Sequence, residues 1–324
     1  MSKKPKILVV GSFVMDQIAT TDVVPCEGQT VLGKTFHKAP GGKGANQAVQ
    51  AARLGADVTM VGKLGCDSNG EEMIRVCKEA GIDVSHVAYD EAAASGCALI
   101  ILQEKSGEGT QNRILVIPGT NMLITEDDIS FLKESISEFD MVILQNEIPM
   151  NINVMVAKYA YEAGVPVMLN SAPSTQLPEE LYGYLTYISP NETEIEDMTG
   201  IHIEHEGQNV DLHMARKAAD AVRAKGVKNV LITMGSAGAF LVTEEGGIHS
   251  PCATGITAVD PTAAGDSFVG AFCVGVCLGW KWEKILVFAN HTAGITVSGM
   301  GAMPSLPTLD MVVSNMERRG LKNE

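Results

Sequence analysis

The sequence predicts an α/β fold of three layers, α/β/α, in which a mostly parallel central sheet is covered by helices on both faces. Short β-branched runs alternate with longer stretches of helical period, and this repeated βα order is the strongest sign. Size agrees, since 324 residues at 45% hydrophobic content can bury one large core or two moderate ones. No internal repeat or low-complexity linker marks a boundary, so residues 1–324 read as a single domain.

In chain order, strands are expected at 6–10, 58–62, 141–144, 165–169, 187–189, 230–234 and 239–243. Between them the apolar spacing predicts helices at 45–54, 71–80, 151–163, 192–199 and 211–225, followed by 266–278 and 283–297. Two stretches break the order: 13–39 and 95–117 are rich in Thr, Val and Ile and have little helical period. They read either as an accessory antiparallel sheet or as surface loops and edge strands, and the pattern alone leaves both open.

Charge narrows the function classes. With 24 Lys plus Arg against 39 Asp plus Glu the formal net charge is −15, which argues against an extended attraction to nucleic acid or anionic lipid. A small ligand held by a few local groups stays compatible with it. The apolar run from Ile7 to Val10 is too short for a signal-peptide core or a membrane span, so the chain reads as soluble and cytoplasmic. Seven cysteines (Cys26, Cys66, Cys77, Cys97, Cys252, Cys273 and Cys277) form no CxxC pair and no zinc-like spacing, as expected of reduced thiols in such a compartment.

Glycine-rich segments carry the chemistry. Pro40-Gly41-Gly42-Lys43-Gly44-Ala45-Asn46-Gln47-Ala48 leads straight into a helix. Its glycines let a ligand approach the main chain, and Asn46 can both donate to and accept from a hydroxyl. The GxxxxGK[ST] order of a Walker loop is absent, so a plain turn before a helix competes with this reading. Asp260-Pro261-Thr262-Ala263-Ala264-Gly265-Asp266-Ser267-Phe268 is more informative. Small residues before a helix expose consecutive N–H groups, and the positive end of the helix dipole suits a phosphate or a developing anion. Asp266 then stands beside that anion, either as a helix-capping carboxylate or as the base for a hydroxyl attacking phosphorus. At Ser189-Pro190-Asn191-Glu192-Thr193-Glu194 the acids fit a helix N-terminus, or magnesium held through water. Thr233-Met234-Gly235-Ser236-Ala237-Gly238 is explained by hairpin chemistry, or by a nucleotide at the carboxyl ends of parallel strands.

Together with Gly11-Ser12, Asp16 and Glu147, these segments resemble in order and spacing, through nearly the whole chain, the ribokinase-like (pfkB) family of carbohydrate kinases. The resemblance implies an α/β/α core with a small β-sheet lid supplied by 13–39 and 95–117, the lid also forming a homodimer interface. It implies that Asp16, Gly42, Lys43, Asn46 and Glu147 contact the sugar, that Asp266 is the base, and that the N–H groups of Ala263, Ala264 and Gly265 form an anion hole. Asn191 and Glu194 then fall near the ATP phosphates and Mg2+, with Thr233, Gly235, Ser236, Gly238 and Asn290 around the nucleotide. A monovalent cation, usually potassium, is implied beside the anion hole, near Asp260, Thr262, Ser305 and carbonyls between 298 and 305. The implied reaction is direct in-line transfer from ATP to the primary 5-hydroxyl of a pentose, ribose or 2-deoxyribose, with no covalent enzyme intermediate and with lid closure excluding water.

Departures from the family pattern bear on the substrate. Where the first motif commonly reads Gly-Ser-x-Asn-x-Asp, this chain has Gly11-Ser12-Phe13-Val14-Met15-Asp16. Residues two apart in an extended segment share a face, so Val14 is expected to point toward the pocket of Asp16 without bonding a hydroxyl there. A hydroxyl buried without its partner costs about 1–3 kcal/mol. That favours 2-deoxyribose over ribose, unless water or a neighbour replaces the amide. Pro261 stands where Thr or Val is common, which removes one N–H and stiffens the loop. Gly119-Thr120-Asn121 also differs from the usual small-residue sequence near the sugar. A kinase for a nucleoside or hexose, such as adenosine or fructose, is the competing enzyme, and the polar Lys43, Asn46 and Glu147 favour a free sugar over a stacked base. A non-catalytic sugar or nucleotide sensor is opposed by Asp266, Glu194 and the small-residue turn. A dehydrogenase would need GxGxxG after the first strand, where Gly-Ser-Phe-Val stands.

Overall fold

The computed structural model describes residues 4–105 and 109–321. Its strands are β1 (Lys6–Val10), β2 (Val14–Thr21), β3 (Thr35–Gly41), β4 (Asp57–Gly65), β5 (Val87–Asp90), β6 (Cys97–Lys105), β7 (Gly109–Ile117), β8 (Met141–Gln145), β9 (Val167–Asn170), β10 (Tyr187–Ser189), β11 (His205–Glu206), β12 (Asn209–Val210), β13 (Asn229–Thr233), β14 (Ala239–Val242) and β15 (Gly247–Ser250). The helices are α1 (Lys43–Arg53), α2 (Ser68–Glu79), α3 (Glu126–Ile129), α4 (Leu132–Ser135), α5 (Met150–Glu162), α6 (Glu179–Tyr184), α7 (Glu192–Thr199), α8 (Leu212–Arg223), α9 (Ala264–Cys277), α10 (Trp282–Val297) and α11 (Leu309–Arg318).

Among the described residues, nine strands form the main sheet in the order β15-β14-β13-β10-β9-β8-β1-β4-β5. From β13 through β5 the pairs are parallel, while β14 and β15 run antiparallel at one edge. Alternation along β1 shows why the layers are three. Ile7 and Val9 join a core with Ala45 and Ala48 of α1, Phe268 and Phe272 of α9 and Leu286 of α10. Leu8 and Val10 face the other way, into a core with Ile152 and Val156 of α5 and Ala215 and Ala219 of α8. A strand covered on both faces needs apolar side chains at successive positions, and that is the composition of residues 7–10 in β1 and 141–144 in β8.

The stretches 13–39 and 95–117 form a separate four-stranded sheet in the order β3-β2-β6-β7; residues 106–108 lie outside the described residues. Its outer pairs, β2 with β3 and β6 with β7, are antiparallel, but β2 pairs with β6 in parallel. The expectation of a purely antiparallel sheet is corrected at its centre. Both strands leave the core at one point, where the Met15 amide donates to the Gly96 carbonyl at 2.9 Å, so both run the same way. Asn121 fastens that point. Its Oδ1 accepts from the Phe13 amide at 2.9 Å, and its Nδ2 donates to the carbonyls of Phe13 at 2.7 Å and Pro118 at 2.9 Å. A Cβ on Gly96 would lie 2.4 Å from the same Nδ2, so only glycine fits beside this clasp. The residues entering β2, entering β6 and leaving β7 therefore meet on one buried amide.

Candidate active site

α9 begins in a turn with an unusual backbone. Ala263 holds φ 61°, and among the described residues it is the one non-glycine with positive φ. Such a conformation costs energy in a residue with a Cβ and persists where the surroundings enforce it, often at functional sites. The Ala264 amide donates to the Pro261 carbonyl at 3.2 Å, closing the turn. The amides of Ala263, Gly265 and Asp266 have no protein acceptor among the described residues. These unpaired N–H groups at the start of a helix of 14 residues form a cradle for an anion. Of the three amides expected in an anion hole, that of Ala264 is shared with the turn.

Asp266 is the third residue of α9 and does not cap it; Ala263, at the cap, has no side-chain acceptor. The carboxylate turns instead to α1. Asn46 Nδ2 donates to Oδ2 at 2.8 Å and Gln47 Nε2 donates to Oδ1 at 2.9 Å. The helices approach closely because Gly270, one turn along α9, meets the Gln47 carbonyl and the Gln50 side chain with no Cβ between them. Burial pushes the Asp266 carboxyl above the usual carboxylate range, while Lys43 and the amides of Asn46 and Gln47 pull against it and Glu147 adds to the rise. A buried carboxylate held by two donors, with its pKa raised by that burial, has the properties of a general base.

Lys43 and Asp266 line one cavity of about 230 Å³, with Asn191, Glu194 and Thr233 on its far wall and Pro261, Ala263, Ala264 and Gly265 at its end. Burial works against the charge on Lys43, but Asp266, Glu147, Glu194 and Asp16 outweigh it and hold the ammonium protonated. Lys43 thus stands between the anion cradle and the acids Glu147 and Asp16, on whose side the resemblance implied a sugar contact. Glu147 is held at the start of α1: its Oε2 accepts from Ser12 Oγ at 2.5 Å and from the Lys43 amide at 3.0 Å. Gly42, with φ 93°, precedes that amide, and a Cβ there would collide with the Val14 backbone nitrogen at 2.6 Å. Asp16 lies a strand away. Burial first, then Glu147, Asp260 and Asp266, push its carboxyl up to about 6 against the pull of Lys43.

On the far wall, Glu194 is committed to a capping box. The Asn191 side chain accepts from the Glu194 amide at 2.8 Å, and Glu194 accepts from the Asn191 amide, from Asn191 Nδ2 and from Ser171 Oγ, each at 3.0 Å. The helix-terminus alternative for this acid is what the structure shows. The two Glu194 oxygens already accept three protein hydrogen bonds, which fits a magnesium held through water better than one ligated directly. Ser189, which opens the segment leading to Asn191, also lines the cavity, as do Asn170 and Ala172, which no sequence pattern indicated.

The other expected nucleotide residues stand outside this cavity. Gly235 and Gly238, at φ 47° and 89°, make the hairpin turn between β13 and β14, and Ser236 Oγ donates to the Gly207 carbonyl at 3.2 Å. Asn290 reaches from α10 to Ser250, donating to its carbonyl at 3.2 Å and to its Oγ at 3.0 Å. Of the residues expected around a monovalent cation, Asp260 and Thr262 are in direct contact, and Ser305 bonds within its own turn. Asp260 accepts from the Thr262 amide at 2.9 Å and hydroxyl at 2.6 Å, and from the Gly301 amide at 2.9 Å. Ser305 Oγ donates to the Ala302 carbonyl at 2.8 Å, and Gly299 packs against its Cβ. Asp260 and Ser305 keep oxygen lone pairs beyond those bonds, a chemistry suited to a hard cation.

A parallel α/β sheet, a small separate sheet and an acid at the mouth of a helix define a phosphotransferase acting on an alcohol, and the chain belongs to the pfkB family of carbohydrate kinases, whose pattern it matches over residues 4–309. Among curated proteins it is 33% identical over 311 residues to the ribokinase of Haemophilus influenzae, covering 96% of this chain and 98% of that protein. The deoxyribokinase of Salmonella typhi is 32% identical over 305 residues, 94% of this chain and 96% of that one. A bifunctional ribokinase/ribose-5-phosphate isomerase A of Fructilactobacillus sanfranciscensis is 35% identical over 312 residues, and there the chain spans only 56% of the relative's length. The solved structure of Arabidopsis thaliana ribokinase complexed with ribose and ATP superposes with a TM-score of 0.87 at 33% identity, covering 97% of this chain and 99% of that chain.

Proposed function

We propose that the chain is a single-domain, ATP-dependent kinase for the primary 5-hydroxyl of a pentose, ribose or 2-deoxyribose. The observation that carries this is Asp266: a buried carboxylate of raised pKa, fixed by two amides, between unpaired helix N–H groups and a charged lysine. As the hydroxyl oxygen bonds to the γ-phosphorus, the bond to the β,γ-bridging oxygen breaks and ADP leaves. Asp266 takes the hydroxyl proton. Lys43 and the amides of Ala263 and Gly265 face the charge on the transferring group. Asp16, Gly42, Asn46 and Glu147 are read as the sugar side, Asn191, Thr233, Gly235, Ser236, Gly238 and Asn290 as the nucleotide side. Glu194 would hold magnesium through water, and the ion would supply charge neutralisation to the phosphates. A potassium ion near Asp260, Thr262 and Ser305 would brace the turn.

Four exposed apolar side chains in succession on β7, Ile114, Leu115, Val116 and Ile117, support a homodimer formed through the small sheet. Seven free cysteines suit a reducing cytoplasm, and no helix of the described residues is long and apolar enough to cross a membrane.

Val14 refines the substrate. It is 5% exposed, opens β2 opposite Gly41 and shares a strand face with Asp16. An isopropyl group there leaves a sugar hydroxyl without its amide, so the preferred acceptor is 2-deoxyribose. ADP formation across ribose, 2-deoxyribose, fructose and adenosine, with and without potassium, tests the whole reading. kcat/KM is expected to favour 2-deoxyribose, and Val14→Asn to shift the ratio toward ribose by about tenfold, one hydrogen bond's worth. A ribose preference of tenfold or more in the unaltered chain would remove the 2-deoxyribose assignment; ADP formation with fructose or adenosine alone would remove the pentose.

Asp16 supplies a pH signature. A carboxylate accepts from sugar hydroxyls only when ionised, and with its pKa raised to about 6 it takes up its proton below that pH. kcat/KM for the sugar, which reports groups of the free enzyme, should therefore be level above pH 7 and fall about tenfold per pH unit well below 6. In stability the sign is opposite. A raised carboxyl pKa favours the folded state at low pH, and that contribution is lost as pH rises through about 6. Asp16→Asn should thus raise the melting temperature at pH 7.5 while removing most sugar affinity and the Asp16 share of the acid limb, leaving that of Asp266.

A further inference from the structure

Behind Asp266 lies a chain of buried amides that the chemistry above does not use. Gln47 Nε2 donates to Asp266 Oδ1 at 2.9 Å, and Gln145 Nε2 donates to Gln47 Oε1 at 2.8 Å. Asn153 Nδ2 in turn donates to the Gln145 carbonyl at 2.7 Å, tying the end of β8 to α5. Gln47, Gln145 and Asn153 are all fully buried. The orientation of each amide is dictated by the next. With Gln145 Nε2 aimed at it, the Gln47 oxygen is occupied, and its NH2 can only face the carboxylate. Turning Gln145 over would set two amide oxygens against each other and drive Gln47 to present oxygen to Asp266.

The other end of Gln145 makes no competing bond to the described residues. Its Oε1 is buried with no hydrogen-bond partner among the described residues, in space left by Gly11, where a Cβ would come within 2.0 Å of that oxygen. The NH2 end of Gln145 is therefore the end spent on Gln47, and beyond Gln47 the same line of bonds ends in a donor aimed at the base.

We propose that Gln47 and Gln145 form an amide relay that positions the Asp266 carboxylate for its reaction, with Gln47 acting on Asp266 and Gln145 acting through Gln47. Both are positioning residues, since both are fully buried and neither lines the cavity. The inference rests on the reading of Asp266 as base. Other charged groups facing Asp266 are Lys43 on α1, Glu147 after β8 and Asp16 on β2, and all three are retained in the test.

The test measures single-turnover rate against pH at saturating 2-deoxyribose, ribose and ATP with Mg2+, where the Asp16 limb is suppressed by bound sugar. Gln47→Met, close to isosteric, removes a donor to the ionised form. Its acid limb is expected to move up by about one pH unit, with at least tenfold lower rate near that limb and KM for both substrates within about twofold. Gln145→Met should move the limb the same way by less. In the double variant Gln145→Met should add nothing, because its route to Asp266 is already cut. An unmoved acid limb in a folded Gln47→Met, or full additivity in the double variant, overturns the relay; should Gln47→Met not fold, the limb of Gln145→Met decides alone. Asp266→Asn run alongside separates the two layers. If it turns over normally, the reading of the base has failed. If it is inactive and the glutamine variants keep the wild-type limb, only the relay has failed.

Discussion

Asp266→Ala is expected to lower kcat by about 10³-fold or more while nucleotide binding persists. General-base catalysis by a positioned side chain contributes about 10²–10⁴-fold, and here the acid also joins α9 to α1 by accepting from Asn46 and Gln47. The loss should fall on kcat, because the unpaired amides of Ala263 and Gly265 and the Lys43 ammonium remain to bind phosphate. Asp266→Asn is the sharper variant by shape but not by hydrogen bonding. One carboxylate oxygen would become an NH2 facing the Asn46 or Gln47 donor, so it loses a bond as well as the base. Steady-state kinetics with isothermal titration of ADP checks both, and a variant that keeps kcat within tenfold would contradict the assignment.

Lys43→Met carries the second large effect. Lys43 stands among Asp266, Glu147, Glu194 and Asp16, and those carboxylates hold its ammonium protonated against burial. Removing one partner of a buried charge network leaves the others uncompensated. Two losses follow. Electrostatic stabilisation of the transferring phosphoryl group goes, worth about 10²–10³-fold in kcat for a single well-placed donor. The charge that pulls the Asp266 and Asp16 carboxyls down goes as well, so the acid limb of kcat/KM for sugar should rise above its position near pH 6. The melting temperature at pH 7.5 should drop, because the raised ammonium pKa means its contribution is complete well below pH 10. A Lys43→Met variant with an unmoved acid limb would place the lysine outside this cluster.

How far such a site can be read from sequence is shown by two acids in equivalent places. Glu194 is the third residue of α7 and Asp266 the third residue of α9, and both admitted a helix-terminus role or a chemical one. The difference lies at the cap. Asn191 offers a side chain that closes a box with Glu194, while Ala263 offers none and leaves Asp266 for other partners. An acid three residues after an Asn reads as structural, and after an Ala as free, so that distinction was available in the residues. Gln47 was not. It adjoins Asn46 on α1, and its tie to Asp266 depends on the crossing of α1 and α9 at Gly270, some 220 positions away in the chain. Local pattern holds no such information.

The fold divides the same way. Buried parallel strands such as β1, β8 and β10 announce themselves by runs of apolar residues and fall within a residue of where the sequence puts them. The edge strands β5 and β15 are four residues each and partly exposed, so they lack that signature. The parallel pairing of β2 with β6 was hidden too, because it is set by where both strands leave the core and not by their composition.

The central claim is one displacement at phosphorus at the mouth of α9. The most direct measurement is the stereochemistry of transfer from ATP made chiral at the γ-phosphorus with oxygen isotopes to the pentose 5-hydroxyl. A single in-line attack by the alcohol gives inverted configuration in the sugar phosphate. Retention would mean that an enzyme group first takes the phosphoryl, and the account built on Asp266 as a base would not survive it.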